Sequence, residues 1–427
     1  MNSAANAHLI NSESYVQKPF TLPNGIVIKN RLLKSAMSEA LGTIDNVPTM
    51  KLATLYRRWA KGGVGLCVTG NVMIDARAIG EPGNVVLEND KHMSKLKLWA
   101  KAGTCNNTQL WMQINHPGKQ VPKGLNKNSV APSAIGFGPA LTKFFEIPRE
   151  LTENEILDII TRFATTASLA KEAGFTGVQI HGAHGYLVSQ FLSPNHNQRT
   201  DQWGGSLENR MRFVREVYRS IREKVGEDFP IGIKLNSADF QKGGFTEEES
   251  IEVIKTLTDD GMALIEISGG TYESPVMALG SNIKESTYTR EAYFLKFADT
   301  IRQETTASGL KIPLAVTGGF RTTTGMADAL AHDNLDMVGI ARPLAVDPDY
   351  PHKVLSGQAK TNPIRAISTG IKFVDDAALM EVAWYTRQLH RMGVGKNPKP
   401  NEGAISSLVK TLLTSGYKTF RTRRLRA

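Results

Sequence analysis

Val178-Gln179-Ile180-His181-Gly182-Ala183-His184-Gly185-Tyr186 is a short apolar run that opens into two histidines three residues apart, with a tyrosine two residues on. It reads as a strand leaving into a tight loop, where glycines at 182 and 185 give the backbone freedom to turn. Such a turn points all three side chains into one space. Two converging imidazoles can both donate to a single oxygen and polarise a carbonyl or nitro group, and a neighbouring tyrosine can supply a proton. For a lone His-x-x-His the plainer reading is a pair of surface histidines in a polar loop. A zinc pair is a third reading, but metal-binding histidines on a helix usually sit four apart, and no nearby Cys, Asp or Glu completes a ligand set.

Working outward, the run is one of eight. Ile26–Ala36, Val64–Thr69, Thr108–Ile114, Gly177–Ile180, Ile231–Leu235, Ala263–Ile267, Ile312–Val316 and Met337–Ile340 are short and apolar, as strands buried on both faces are. Helix signals fall between them. Thr152-x-x-Glu155 and Thr246-x-x-Glu249 are capping boxes. The first opens a periodic stretch through Ile156, Ile159, Ile160, Phe163 and Ala167 that stops at Gly174. Ser206 caps a helix carrying Phe213, Val214, Val217 and Ile221, which ends at Gly226, and Asp259-Asp260-Gly261 ends the helix begun at Thr246. Eight strands alternating with helices predict an α/β fold, a (β/α)8 TIM barrel. An open doubly wound sheet is the rival, and it is discounted because no Gly-x-Gly-x-x-Gly turn follows any of the eight runs.

The proline-rich stretch Asn115–Arg149 follows the third run, which puts an inserted lid over the C-terminal face of the barrel. Past Pro351 the pattern becomes helical and polar. The division predicted is an N-terminal arm over 1–17, the barrel over 18–350, and a helical C-terminal extension with a basic tail over 351–427.

Hydrophobic residues make up 41% of the 427 and charged residues 22%, which is ordinary for a globular protein. No apolar run approaches the ~20 residues of a membrane span. The N-terminus lacks the basic and apolar parts of a secretory signal, so a cytoplasmic location is the expectation. Two cysteines, Cys67 and Cys105, are too few for a disulfide framework or a four-cysteine iron–sulfur cluster. Of the net charge of +10, six positive charges fall after Glu402, where no acidic residue follows. The basic excess thus belongs to a tail and does not argue for a nucleic-acid-binding body.

Several further motifs accompany the histidine loop: Lys29-Asn30-Arg31 leading to Ser35-Ala36-Met37-Ser38; Gln113; Phe191-Leu192-Ser193-Pro194; Arg199-Thr200-Asp201 with Gly204-Gly205-Ser206 and Glu208-Asn209-Arg210; Thr317-Gly318-Gly319; and Ala341-Arg342-Pro343. In this order they resemble the old yellow enzyme family of FMN-dependent ene-reductases, within the NADH:flavin oxidoreductases, over roughly Lys18 to Tyr350. The resemblance implies FMN across the barrel mouth, with NADH or NADPH as reductant. It implies that Gly318, Gly319 and Ala341 give backbone N–H groups to the phosphate and that Arg342 adds charge. Ser35, Ala36, Met37, Ser38 and Gly70 would line the isoalloxazine, and Gln113 would bond its pyrimidine edge. Lys234, flanked by Ile233 and Leu235, would face the mouth and stabilise the reduced flavin, where many relatives carry arginine. His181 and His184 would hold the oxygen of an electron-poor alkene while Tyr186 donates a proton, in a ping-pong cycle.

The chain departs from the family in places. Ala36 stands where proline is frequent, Ser38 where relatives vary between Thr and Cys, and Trp203 where tyrosine is common. Two alternatives remain beside the ene-reductase: a flavoenzyme of this fold whose oxidant is a quinone, nitro compound, nitrate ester or oxygen, or a flavin-binding regulatory protein. The segment Ile405–Leu425 has near-helical apolar spacing and a basic end. It could meet an anionic surface, an acidic partner or another subunit of a homo-oligomer, and a solvated tail is the plainest reading.

Overall fold

The computed structural model describes residues 15–139, 141–268, 286–306, 309–332, 335–365, 367–371, 379–411 and 413. Most of the N-terminal arm and most of the basic tail, Tyr417 included, therefore lie outside the described residues.

Eight parallel strands close into a barrel: β1 (Leu32–Lys34), β2 (Leu66–Val68), β3 (Gln109–Asn115), β4 (Gly177–Gly182), β5 (Ile231–Asn236), β6 (Leu264–Ser268), β7 (Leu314–Thr317) and β8 (Met337–Ile340). Closure is set by β8 pairing with β1, β2 with β3, and β3 with β4, the last with Gln113 opposite Gln179. Every apolar run of the sequence carries one of these strands. The first run does two jobs. Its opening, Val27–Ile28, pairs antiparallel with Phe20–Thr21, and only Leu32–Lys34 enters the barrel. Phe20, Leu22 and Ile28 of that hairpin join the apolar cluster inside the barrel, so Ile26–Ile28 and Leu32–Leu33, the apolar parts of the run on either side of Lys29-Asn30-Arg31, are apolar for separate reasons.

The helices that pack outside the strands are α1 (Met50–Lys61), α2 (Met93–Gly103), α3 (Glu153–Ala173), α4 (Leu207–Val225), α5 (Glu247–Asp259), α6 (Ser286–Thr306) and α7 (Thr323–Ala331). Both capping boxes form, at Thr152/Glu155 and Thr246/Glu249, and Ser206 Oγ accepts from the Asn209 N–H. Gly174 ends α3 in the left-handed conformation at φ 92°, where a side chain would be strained. The inner stripe of α3 buries Ile156, Ile160, Phe163, Ala164 and Ala167, with Phe163 edge-on to Phe213 of α4. A fully buried side chain of this size contributes roughly 1.5–3 kcal/mol.

The insertion after β3 makes one short parallel pairing, Val130–Ala131 with Arg149–Glu150. Beyond the barrel, α8 (Leu379–Gly393) packs on α1 and on the short helix Arg342–Val346, with Trp384 buried. No helix among the described residues is long and apolar enough to cross a membrane.

Candidate active site

In a parallel barrel, residues two apart on a strand face the same side. At the C-terminal level of the strands this rule brings Gln113, Gln179, Lys234 and Glu266 inside together, joined by Ser35 and Thr317, and they form one hydrogen-bonded cluster. Lys234 Nζ donates to Ser35 Oγ and to Glu266 Oε1, each at 2.9 Å. Glu266 Oε1 also accepts from Thr317 Oγ1 at 2.6 Å and from the Ser35 hydroxyl. Its other oxygen accepts from Gln179 Nε2 at 2.7 Å, and Gln179 Oε1 accepts from Gln113 Nε2 at 2.8 Å. Burial alone would push the Glu266 carboxyl up. Lys234 and the hydroxyl donors outweigh that and hold it at about 2, so the pair is an ion pair in the barrel interior. Lys234 is thus buried, not a solvated strand end.

One step farther along β4 the chain turns. Gly182 is still strand, and its missing side chain serves packing: a Cβ there would lie 2.9 Å from Ile233 Cδ1 and 3.0 Å from the Lys234 carbonyl oxygen. The left-handed turn falls instead on His184 (φ 62°) and Gly185 (φ 77°). His184 is an unusual residue for that conformation. Its N–H is held by Asn236 Oδ1 at 3.0 Å, and its Nε2 lies 2.8 Å from Ser268 Oγ.

The turn gathers three rings. His181 and His184 centroids are 5.2 Å apart, and those of His181 and Tyr186 are 4.7 Å apart. Burial, then the Lys234 cation, lowers the His181 pKa to about 3; burial, Lys234 and His181 together push His184 well below its usual value. Both imidazoles are neutral at pH 7, each with one N–H. The Ala183 N–H donates to His181 Nδ1 at 3.3 Å, which places the His181 proton on Nε2. If the Ser268 hydroxyl donates to His184 Nε2, the His184 proton sits on Nδ1. The Tyr186 hydroxyl accepts from Asn71 Nδ2 at 3.4 Å, and Asn71 in turn accepts from Asn115 Nδ2.

The remaining sequence-derived residues fall around this cluster. Ser35, Ala36, Met37 and Ser38 run out of β1, with the Ser35 N–H on the Ile340 carbonyl and the Ser38 hydroxyl on Glu81. At Gly70 the space of a side chain is already taken by the Met37 carbonyl, 2.2 Å from an ideal Cβ, and by the Glu39 carboxylate. The chain's own packing therefore demands that glycine. Gly318 (φ 104°) and Gly319 (φ 84°) follow β7, with nothing within 4 Å of where a Gly318 Cβ would stand. Ala341 precedes the short helix after β8, and Arg342 pairs with Glu381 of α8 at 3.2 Å. From the same helix, Thr386 donates to the Ser38 carbonyl at 3.3 Å, and His390 Nε2 lies 2.8 Å from the Glu39 carbonyl.

Sequence reasoning missed Glu266, Gln179, Asn71 and the contacts from α8. Glu266 left a signal: a carboxylate inside the run Ala263–Ile267, on the strand next to Lys234, and directly opposite it in register. Asn71 and α8 left none, because both reach the site through tertiary packing.

A family model described as the NADH:flavin oxidoreductase / NADH oxidase family matches residues 16–361. An NADH-dependent flavin oxidoreductase of Hypocrea jecorina is 38% identical over 367 residues, covering 81% of this chain and 90% of that protein. One of Neonectria sp. is 38% identical over 366 residues, covering 80% of this chain but 47% of its own length. Among solved structures, an old yellow enzyme homologue from Zymomonas mobilis matches in fold, with a TM-score of 0.68 at 24% identity over 82% of this chain and 94% of that one.

The residues present fit FMN. A buried cation, an amide and a hydroxyl stand together at the mouth, suited to a flavin's pyrimidine edge. The Gly318 turn leaves open space at the end of β7, suited to the close approach of a phosphate.

Proposed function

The chain is a member of the NADH:flavin oxidoreductase / NADH oxidase family, of the old yellow enzyme kind, and from that premise we propose that it reduces the carbon–carbon double bond of α,β-unsaturated carbonyl or nitro compounds, with NADH or NADPH as reductant. The observation that carries this reading is the convergence of two neutral imidazoles and the Tyr186 hydroxyl beside a buried cation.

Bound FMN supplies the hydride chemistry, both from the nicotinamide and to the acceptor. The protein's side chains do the rest. Gln113 and Lys234 take the pyrimidine edge, Ser35, Ala36, Met37, Ser38 and Gly70 line the ring, and Gly318, Gly319, Ala341 and Arg342 hold the phosphate. His181 through Nε2–H, with His184 beside it, binds the carbonyl or nitro oxygen. Because both imidazoles are neutral and fixed, their N–H dipoles favour the negative charge that grows on that oxygen during reduction, more than the neutral substrate. Tyr186 gives its hydroxyl proton to the carbon next to the activating group. A protein that only sequestered flavin would have no use for a proton donor at that place.

The deciding experiment is anaerobic. The purified yellow protein is reduced, 2-cyclohexenone is added, and the flavin absorbance is followed as it reoxidises. Rapid reoxidation with cyclohexanone formed supports the reading. A flavin that stays reduced with the enone but reoxidises with quinone, a nitro compound or air overturns it in favour of another acceptor. Tyr186→Phe should slow the alkene step about 10²-fold or more while reduction by the nicotinamide stays nearly intact.

A further inference from the structure

We propose that Glu266 is a positioning residue that acts through Lys234 and Gln179 to set the charge and the hydrogen-bond polarity presented to the flavin's pyrimidine edge; the inference rests on the flavin reading given above.

The argument begins with a buried carboxylate. Glu266 has no exposed surface, and a buried ion is costly unless its partners are complete. Here they are complete. Oε1 receives Lys234, Ser35 and Thr317, and Oε2 receives Gln179. Lys234 Nζ is held in turn between Glu266 and Ser35 at 2.9 Å each, so the cation occupies one fixed place. Its charge is also offset, because a full negative charge lies beneath it.

The second consequence concerns direction. A carboxylate only accepts hydrogen bonds. Gln179 must therefore turn its NH2 group toward Glu266, which leaves its carbonyl oxygen to accept from Gln113 Nε2. Gln113 is thereby fixed with its amide oxygen free to face a donor. A flavin's pyrimidine edge carries one N–H among its acceptor atoms, and an amide oxygen is the group that reads it. Glu266 lies two hydrogen bonds from Gln113 and yet decides which end of that amide is offered.

Charge and direction lead to one measurable quantity. Glu266→Gln removes the counter-charge beneath Lys234, so the anionic reduced flavin gains more than the oxidised one. The ratio of affinities for reduced and oxidised FMN should rise about tenfold, a midpoint shift of about +30 mV for a two-electron couple. Glu266→Asp keeps the charge but withdraws it by one methylene from Lys234, and its midpoint should rise by a smaller amount. Lys234→Met should lower the midpoint, because it removes the cation that favours the anionic reduced flavin.

The test is a potentiometric titration of the FMN-loaded protein and these variants. A midpoint that Lys234→Met lowers but neither Glu266→Gln nor Glu266→Asp raises overturns the inference and leaves the flavin reading intact. Should Glu266→Gln fail to fold, Glu266→Asp decides, and a wild-type midpoint there overturns the proposal. Failure of the wild-type protein to bind FMN overturns both, whereas a midpoint of the FMN-loaded protein that is indifferent to Lys234 overturns the inference alone.

Discussion

The barrel interior has a floor and a mouth built on the same strands and made of opposite chemistry. Two residues along the strand separate them on six of the eight strands. Leu33 gives way to Ser35, Trp111 to Gln113, Gly177 to Gln179, Gly232 to Lys234, Leu264 to Glu266, and Ala315 to Thr317. The floor is an apolar cluster centred on Trp111, and Gly177 and Gly232 exist to make room for its indole: a Cβ at either would come within 2.6 Å of the ring. The mouth is equally buried but consists of hydrogen-bonding groups, each with a partner. The strand period of two fixes which residues point inward at both levels, and chemistry depends on which level a polar residue occupies. A floor of this kind stabilises by excluding water. The mouth must hold charge without water, and so it carries the penalties of burial.

Those penalties yield the largest predicted effect. Burial lowers the pKa of His181 and His196 to about 3 and of His116 to about 4, all at the mouth end, and His184 shifts the same way. An unfolded histidine titrates near 6.5. The stability contributed by keeping these imidazoles neutral is full above pH 6.5 and is lost as pH falls toward the folded values. Each costs about 1.4 kcal/mol per pH unit in that window, hence about 2 kcal/mol apiece by pH 5. Urea unfolding at pH 7 and pH 5 should show a drop corresponding to several protons, and His196→Gln should flatten the slope by about one. A stability unchanged between those pH values would mean that the mouth is wetter than its geometry indicates, and the contrast with the floor would collapse.

At the floor the corresponding test is steric. Trp111→Ala should cost about 3–5 kcal/mol through lost burial and the cavity left behind. The loss should be the same at pH 7 and pH 5, because the side chains clustered with Trp111 are apolar and do not titrate in that range. An acid-dependent loss would show that floor and mouth are not energetically separate.

The floor was the more legible of the two in the sequence. Eight apolar runs gave the strands, because a strand buried on both faces has to be apolar nearly throughout. Lys234 and Gln113 were identified as facing the mouth through the motifs around them. Glu266 was passed over, since it lies in a run that reads as plain core, and its meaning depends on being level with Lys234 on the next strand. Register between strands distant in sequence is not written in either strand alone. The same limit hid α8, whose Thr386 and His390 reach Ser38 and Glu39 from 348 and 351 residues away. The turn after β4 was misassigned in detail for a local reason. Gly182 was read as a hinge, but the left-handed backbone falls on His184, stabilised by Asn236 from a neighbouring strand.

The smallest effect belongs to a feature legible from four residues, and it serves as the control for both levels. Thr152 caps α3, accepting from the Glu155 N–H at 3.3 Å while Glu155 Oε2 accepts from the Thr152 N–H at 2.9 Å. The box is at the surface, outside the barrel, and touches neither Trp111 nor the polar cluster. Thr152→Ala should therefore cost about 1 kcal/mol in urea unfolding. It should leave the flavin midpoint and the rate of enone reduction at wild-type values, and its cost should not change between pH 7 and pH 5 beyond the slope of the parent. If this substitution moved the flavin potential, a change in global stability alone would suffice to perturb the mouth. The potentials of the Glu266 variants would then have to be compared at matched stability before they could be assigned to charge.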